Sequence, residues 1–369
     1  MGTSGMGHKR PGKYDRRMKK KAMAITIKDV ARETNLAIST ISKFINGGNV
    51  REANRKKIEA AIAKLGFVPN DAARGLRTFR TYTVGMIMGG ASNQHTASII
   101  SETEKILRSR GYSLTFIPLG IREESMEPYR LKEYVDYLTD RGVDGLFVTP
   151  MKNEIDFLKS AREQRIPVVM IEEKAIRSEA DGVLADCAGG AYEIVEHLVK
   201  NGHKKIGIIT GPRGKLTADE RRRGYLRVME DYGLPLREDY IIEGDFTGKS
   251  GYEGMKKLWS LEDRPTAVFA TNYDVCLGML EAVRNMGIRV PEELSLVTFD
   301  DFDLSVIVQP RLTAVRQPVL QIAETACELL CRRMNGDMND FPRTVRLKTE
   351  CIYRDSVMDL YRQEEKGGD

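Results

Sequence analysis

From residue 83 onward, short apolar runs rich in β-branched residues alternate with stretches of helical period, and the alternation comes in two blocks. The first block is TVGMIMG (83–89), SLTFIP (113–118), DGLFVTP (144–150) and PVVMI (167–171), with helical patterns over 98–110, 128–141 and 154–165. The second is KIGIITG (205–211), DYIIEGD (239–245), TAVFAT (266–271) and LSLVTF (294–299), with helical patterns near 188–201, 218–232, 249–260 and 274–287. Strands separated by helices cannot pair as hairpins. They pair in parallel through crossovers, so two parallel sheets covered by helices are expected. Gly111, Gly142, Gly202, Gly233 and Gly287 punctuate the helix ends. The first strand runs into GGAS, which lacks the glycine spacing of a dinucleotide fingerprint, so no nicotinamide cofactor is expected. No apolar run approaches the roughly 20 residues needed to cross a bilayer. Five Cys, none in CxxC spacing, argue against a zinc ribbon or a disulfide scaffold.

Charge divides the chain as sharply as periodicity does. The net of +5 conceals 19 Lys+Arg against 6 Asp+Glu in residues 1–80, and 39 against 47 in the remainder. A small basic unit on a larger acidic body suits a polyanion reader with a separate control domain. Residues 1–24 supply part of the excess and lack any apolar period, so a disordered basic extension is expected there. Met18 and Met23 are candidate natural starts. Residues 25–80 stay basic without that extension, at 11 against 5.

Within 25–68 the pattern reads as three short helices. The first spans Ile27 to Thr34 with Val30 and Ala31 inward, and breaks at Asn35, a residue that tolerates left-handed backbone angles. The second runs from Ile38 to Ile45. Leu36, Ile41 and Ile45 point inward, leaving Ser39, Thr40, Ser42 and Lys43 outward. The third, Arg51 to Lys64, buries Ile58, Ala61, Ile62 and Leu65 and stops at Gly66. A short polar helix after a tight turn is helix-turn-helix geometry, whose second helix enters the major groove.

The runs ITIKDVARETNLAISTISKFINGG and RKKIEAAIAKLGFVPNDAARGLR resemble the headpiece of the lactose-repressor (LacI-type) family of bacterial transcription regulators. Two residues depart from that pattern: Asn35 stands where Gly is usual, and Ala37 where Ser or Thr caps the recognition helix. The missing cap hydroxyl costs about 1 kcal/mol. The resemblance implies that Ile38, Ser39 and Lys43 read bases, Lys43 reaching guanine O6/N7 and Ile38 meeting a thymine methyl. It also implies that Thr40, Ser42 and Asn46 hold phosphates. Residues 69–82 are expected to form a hinge helix and linker, since Pro69 can open a helix too short to persist alone in water. By the same resemblance, Leu76 wedges into the minor groove, flanked by Ala73 and Arg74, and kinks the duplex, with Asn70 also a DNA-binding residue.

The likeness continues through GHKKIGIITGP (202–212), ERRRGY (220–225), RPTAVFATN (264–272), VPEELSLVTFDD (290–301) and LTAVRQP (312–318). It implies a small all-α headpiece on an α/β body of two doubly wound parallel-sheet lobes, as in periplasmic binding proteins. Lobe 1 would span about 83–186 and 318–337, lobe 2 about 187–317 and 338–357, with a frayed tail at 358–369. Ligands of parallel α/β sheets sit beyond the carboxyl ends of the strands. There the sequence offers Ser92, Asn93, Gln94, His95, Thr149, Glu172, Asn272, Asp300 and Asp301. Asn93, Arg221, Asn272, Asp300 and Phe302 are the effector contacts that the resemblance implies. An Arg fork, an amide and a carboxylate suit vicinal hydroxyls, hence a sugar or sugar derivative. Two departures fall here: Asn93-Gln94-His95 after the first strand, and Asn272-Tyr273 with Asp274 one place late.

A sequence-specific, effector-controlled DNA-binding regulator, most plainly a repressor, is the resulting expectation. It would act as a cytoplasmic homodimer on a pseudo-palindromic operator, without cofactor or membrane partner. A solute-binding protein for sugar transport shares the body but needs an export signal and no headpiece. No nucleophile or paired-acid constellation marks an enzyme. Asp300-Asp301 and Cys327/Cys331 read as a turn and as core packing rather than as metal ligands.

Overall fold

The computed structural model describes residues 25–45, 48–67, 80–90, 92–119, 131–150, 156–175 and 179–361. They fall into two units, one within Met1–Arg74 and one within Gly75–Asp369. The basic extension, most of the expected hinge and the last tail residues lie outside the described residues.

The first unit holds α1 (Ile27–Thr34), α2 (Ile38–Ile45) and α3 (Glu52–Leu65). The α1 start is fixed by Thr26, whose backbone N–H and hydroxyl both donate to Asp29 Oδ2, at 2.9 and 2.8 Å. Asn35 ends it in the left-handed region, φ 53° and ψ 34°. Gly66, at φ +64°, ends α3 and donates its N–H to Ile62 O. Val30, Ile41 and Ile58 are fully buried at the centre, joined by Ala61 and Phe67. So small a core leaves little margin for truncation.

The second unit begins β1 (Thr83–Gly89), α4 (Gln94–Ser109), β2 (Ser113–Leu119), α5 (Leu131–Asp140), β3 (Gly145–Val148), α6 (Phe157–Glu163), β4 (Val168–Ile171) and β5 (Asp181–Ala185). It continues α7 (Cys187–Lys200), β6 (Ile206–Thr210), α8 (Leu216–Asp231), β7 (Ile241–Glu243), α9 (Gly248–Trp259), β8 (Ala267–Ala270), α10 (Tyr273–Asn285) and β9 (Ser295–Phe299). It closes with α11 (Leu304–Ile307), β10 (Thr313–Arg316), α12 (Val319–Met334), β11 (Thr344–Leu347) and β12 (Glu350–Ile352). The strands form two six-stranded sheets, ordered β11-β5-β4-β3-β1-β2 and β12-β10-β9-β8-β6-β7. Every pair is parallel except β10 with β12. The two lobes share one winding, with the order reversing between β1 and β3 and again between β6 and β8. Parallel sheets take ligands in the crevice beyond the strand carboxyl ends at such switch points.

Four strands were not anticipated: β5, β10, β11 and β12. All are five residues or fewer, and they fall outside the regular strand–helix spacing that marks equally short strands such as β3 and β8. One chain crossing also falls later than expected. β11 belongs to the first sheet and β12 to the second, so the last passage between lobes is at Lys348-Thr349 rather than near 337–338. Lobe 1 therefore keeps residues up to 347. A buried ion pair holds this return segment in place: Arg333 of α12 forks onto Asp181, Nε–Oδ2 2.8 Å and Nη2–Oδ1 3.2 Å. Arg343 N also donates to Asp181 Oδ1.

Candidate functional sites

In the first unit, α2 is anchored by Ile41 and presents Ile38, Ser39 and Lys43 to solvent, Ile38 being 44% exposed. An isoleucine left open on a helix that buries its neighbours marks a contact surface better than the charges around it. Thr40 is half-buried. Ser42 corrects the sequence reading: expected on the outward face, it is buried. It lies about 100° round the helix from Ile41, on the flank turned to the core. Asn46, Asn70, Ala73, Arg74 and Leu76 lie outside the described residues.

In the second unit, polar residues gather where β1, β4, β6, β8 and β9 end. From lobe 1, Asn93 caps α4 by accepting from Thr96 N at 3.1 Å. Its amide donates to Asp274 Oδ2 of lobe 2 at 2.7 Å. Asn93 thus ties the segment after β1 to the displaced Asp274 of lobe 2. His95, in the first turn of α4, sets Nε2 2.8 Å from Glu172 Oε1. Burial disfavours the His95 cation, but the Glu172 charge outweighs it and raises the imidazole above its ordinary range. Burial likewise works against the Glu172 carboxylate, yet His95, Lys215 and Arg221 hold it down to about 2.

From lobe 2, Arg221 is 3% exposed. Its guanidinium lies 4.0 Å above the Phe299 ring, and Nη1 donates to Thr271 O at 2.6 Å. Of the three consecutive arginines this one turns inward because α8 lies close on α7. A Cβ at Gly224 would meet Ala188 O at 2.5 Å, so only glycine permits that approach. The neighbouring Glu220 is buried and accepts both Nη atoms of Arg346 from β11, each at 2.7 Å. This interlobe fork has no local sequence signal.

Asn272 begins α10, accepting from Val275 N at 3.1 Å and donating to Phe246 O at 3.2 Å. Asp300 sits at φ 81°, a left-handed angle costing roughly 1–3 kcal/mol away from glycine. It accepts from Gln317 Nε2 at 2.6 Å and from Tyr273 N at 3.2 Å. Glu172 carries the same mark at φ 61°. Strain of this kind at two acids, both directly after strands, is characteristic of ligand sites. Phe302 meets Tyr273 edge to face, with centroids 5.5 Å apart. Asp301 is engaged elsewhere, by Arg316 and Arg354.

Of the five expected contacts, Asn93 comes from lobe 1 and the others from lobe 2, and Asn272 and Asp300 are already bonded within the protein. Sequence reasoning placed His95 and Glu172 at the correct edge without pairing them, and missed Lys215. The Lys215 Nζ donates to Pro150 O across the lobes at 3.0 Å, and burial depresses its ammonium.

Residues 26–70 match the model of the bacterial regulatory proteins, lacI family, and residues 195–357 that of the periplasmic binding protein-like domain. The chain is 32% identical over 337 residues to the HTH-type transcriptional repressor PurR of Photobacterium profundum, covering 91% of this chain and 99% of that protein. The catabolite control protein A of Priestia megaterium is 32% identical over 320 residues, covering 86% and 95%. Among solved structures, a transcriptional regulator CelR–cellobiose complex superposes with a TM-score of 0.67 at 26% identity, over 90% of this chain and 99% of that one.

Proposed function

The chain belongs to the lacI family of bacterial regulatory proteins, and from that premise we propose that it is a repressor that reads a pseudo-palindromic operator as a homodimer and is switched by a small effector held between its lobes. Ile38, Ser39 and Lys43 are the base-reading residues in this reading, and Thr40 and Asn46 hold phosphates. Leu76, with Ala73 and Arg74 beside it, kinks the duplex through the minor groove, and Asn70 also binds DNA. A two-fold dimer places two α2 helices on half-sites related by the same symmetry. Binding without chemistry is the whole activity, carried out in the cytoplasm, where the DNA is. Among the described residues no helix is long and apolar enough to cross a membrane.

The observation that carries this reading is the juxtaposition in one chain of an outward-facing α2 with an interlobe crevice lined by strained, buried ionic groups. An effector that favours one lobe pose over the other biases DNA affinity by its differential binding to the two poses. Sugars and sugar derivatives are the ligand class proposed, on the strength of the Arg221 fork beside carboxylates and amides.

The test is selection of duplexes from a random pool by the full chain, followed by anisotropy titration on the selected site. A palindromic consensus is expected, with Lys43→Ala weakening it by 10-fold or more, which is about 1.4 kcal/mol. Sequence-independent binding, unchanged by Lys43→Ala, would overturn the reading.

A further inference from the structure

The proposed effector crevice has a one-sided hydrogen-bonding inventory. Most of its neutral and acidic groups are already paired inside the protein: Asn272 with Val275 and Phe246, Asp300 with Gln317 and Tyr273, and Asn93 with Thr96 and Asp274. Thr149 donates its hydroxyl to Ile171 O. With His95 Nε2 on Glu172, the buried atoms there without a hydrogen-bond partner among the described residues are nitrogens of cationic side chains, Nε of Arg221 and Nδ1 of His95. These side chains are 3% and 5% exposed. His95 Nε2 pairs with Glu172 Oε1 at 2.8 Å, which leaves Nδ1 as the ring nitrogen open to a ligand.

We infer that the crevice is built to receive an anionic, acceptor-only oxygen group, a carboxylate or a phosphate, carried on the small effector and held by Arg221 and His95. The inference rests on the effector reading above and narrows it. A neutral hydroxyl satisfies a donor but brings an O–H that needs an acceptor of its own. A carboxylate or phosphate brings acceptors alone and matches two adjacent cations with charge-assisted bonds. Phe299 beneath the guanidinium fixes the plane of the Arg221 fork, so its remaining N–H vectors are set before a ligand arrives. Lys215, in the electrostatic reach of Glu172 and Arg221, adds a third cation at the same edge.

Thermal-shift titration of the full chain at matched ionic strength in sodium chloride tests this, with glucose, glucose 6-phosphate, gluconate, ribose, ribose 5-phosphate and inorganic phosphate as probes. The expected result is a rise in Tm with inorganic phosphate or with an anionic derivative, and none with its neutral parent. The phosphate esters and gluconate separate the two anion types. Apparent affinity should fall at least 10-fold in His95→Phe and vanish in Arg221→Met, with far-UV circular dichroism confirming that each variant folds. His95→Asn serves if Phe does not fold. A neutral sugar shifting Tm as much as its anion, an anion shift retained in both variants, or no response to any anionic probe overturns the inference. A neutral sugar acting through Arg221 would leave the regulator reading standing, whereas loss of operator selectivity would sink that reading independently.

Discussion

The two walls of the crevice are built on the same winding, yet they use their polar residues differently. On the lobe 2 wall, Asn272 and Asp300 are structural before they are functional: one caps α10, the other joins β9 to Tyr273 and Gln317. On the lobe 1 wall, His95 and Glu172 form an ion pair, Nε2 2.8 Å from Oε1. A wall whose groups are bonded inward is rigid and tolerates little substitution. A wall held by an ion pair is adjustable, because either partner can lose or gain a proton. The comparison teaches that lobe 2 supplies the frame and lobe 1 the tuning.

The largest test of that contrast is substitution of the two strained acids. Asp300→Ala strands the buried Gln317 amide and Tyr273 N–H, and unsatisfied buried groups cost about 1–3 kcal/mol each. Glu172→Ala also removes the partner of buried cations, but His95 can become neutral, so its loss should shrink as pH rises while that of Asp300→Ala does not. Losses in denaturant unfolding with the same pH dependence would remove the distinction. Next in size, Asn272→Ala removes an N-cap and should cost about 1 kcal/mol, lowering Tm of the body by a few degrees. Asn93→Ala removes a comparable cap and also the bond to Asp274, so its larger consequence is predicted in the scattering-derived radius, as the lobes part. An unchanged radius would show that Asn93 acts only as a cap.

The smallest effect is pH-dependent. His95 is raised in the folded protein, so its contribution is complete below pH 6.5 and is lost as pH rises through the raised value. Glu172 is depressed to about 2, and its contribution is lost as pH falls from about 4.5 towards 2. His203 runs opposite to His95. Burial depresses it to about 4, with Nδ1 2.9 Å from Thr266 Oγ1 and Nε2 3.1 Å from Met358 O, so stability falls as pH drops from 6.5 towards 4. Profiles of Tm against pH should therefore lose the alkaline limb in Glu172→Gln and flatten between pH 6.5 and 4 in His203→Gln. Identical profiles would refute both assignments.

Much of this was legible along the chain. The bounds of α1 and α2, the break at Asn35 and the eight strands β1–β4 and β6–β9 follow from periodicity and helix stops, which are local. The other four strands were not legible, since β5 opens on a buried Asp181 whose partner Arg333 comes from a distant helix. Ser42 was misplaced because a polar residue beside Ile41 reads as outward unless the core is known to wrap that flank. In the crevice, residue types were visible but partnerships were not. That Asn272 and Asp300 are engaged, that His95 faces Glu172 and that Arg346 forks onto Glu220 are relations between segments that only folding brings together.

The central claim is that one molecule couples the crevice to the headpiece. It is tested most directly by measuring, on a selected operator, the Kd of wild type and of Arg221→Met with and without a ligand that raises the Tm of the wild type. The account predicts a 5-fold or larger ligand-induced change in wild type, or about 1 kcal/mol of coupling, and no change in the variant at equal ligand-free affinity. A ligand that stabilises the body while leaving the operator Kd untouched would contradict it.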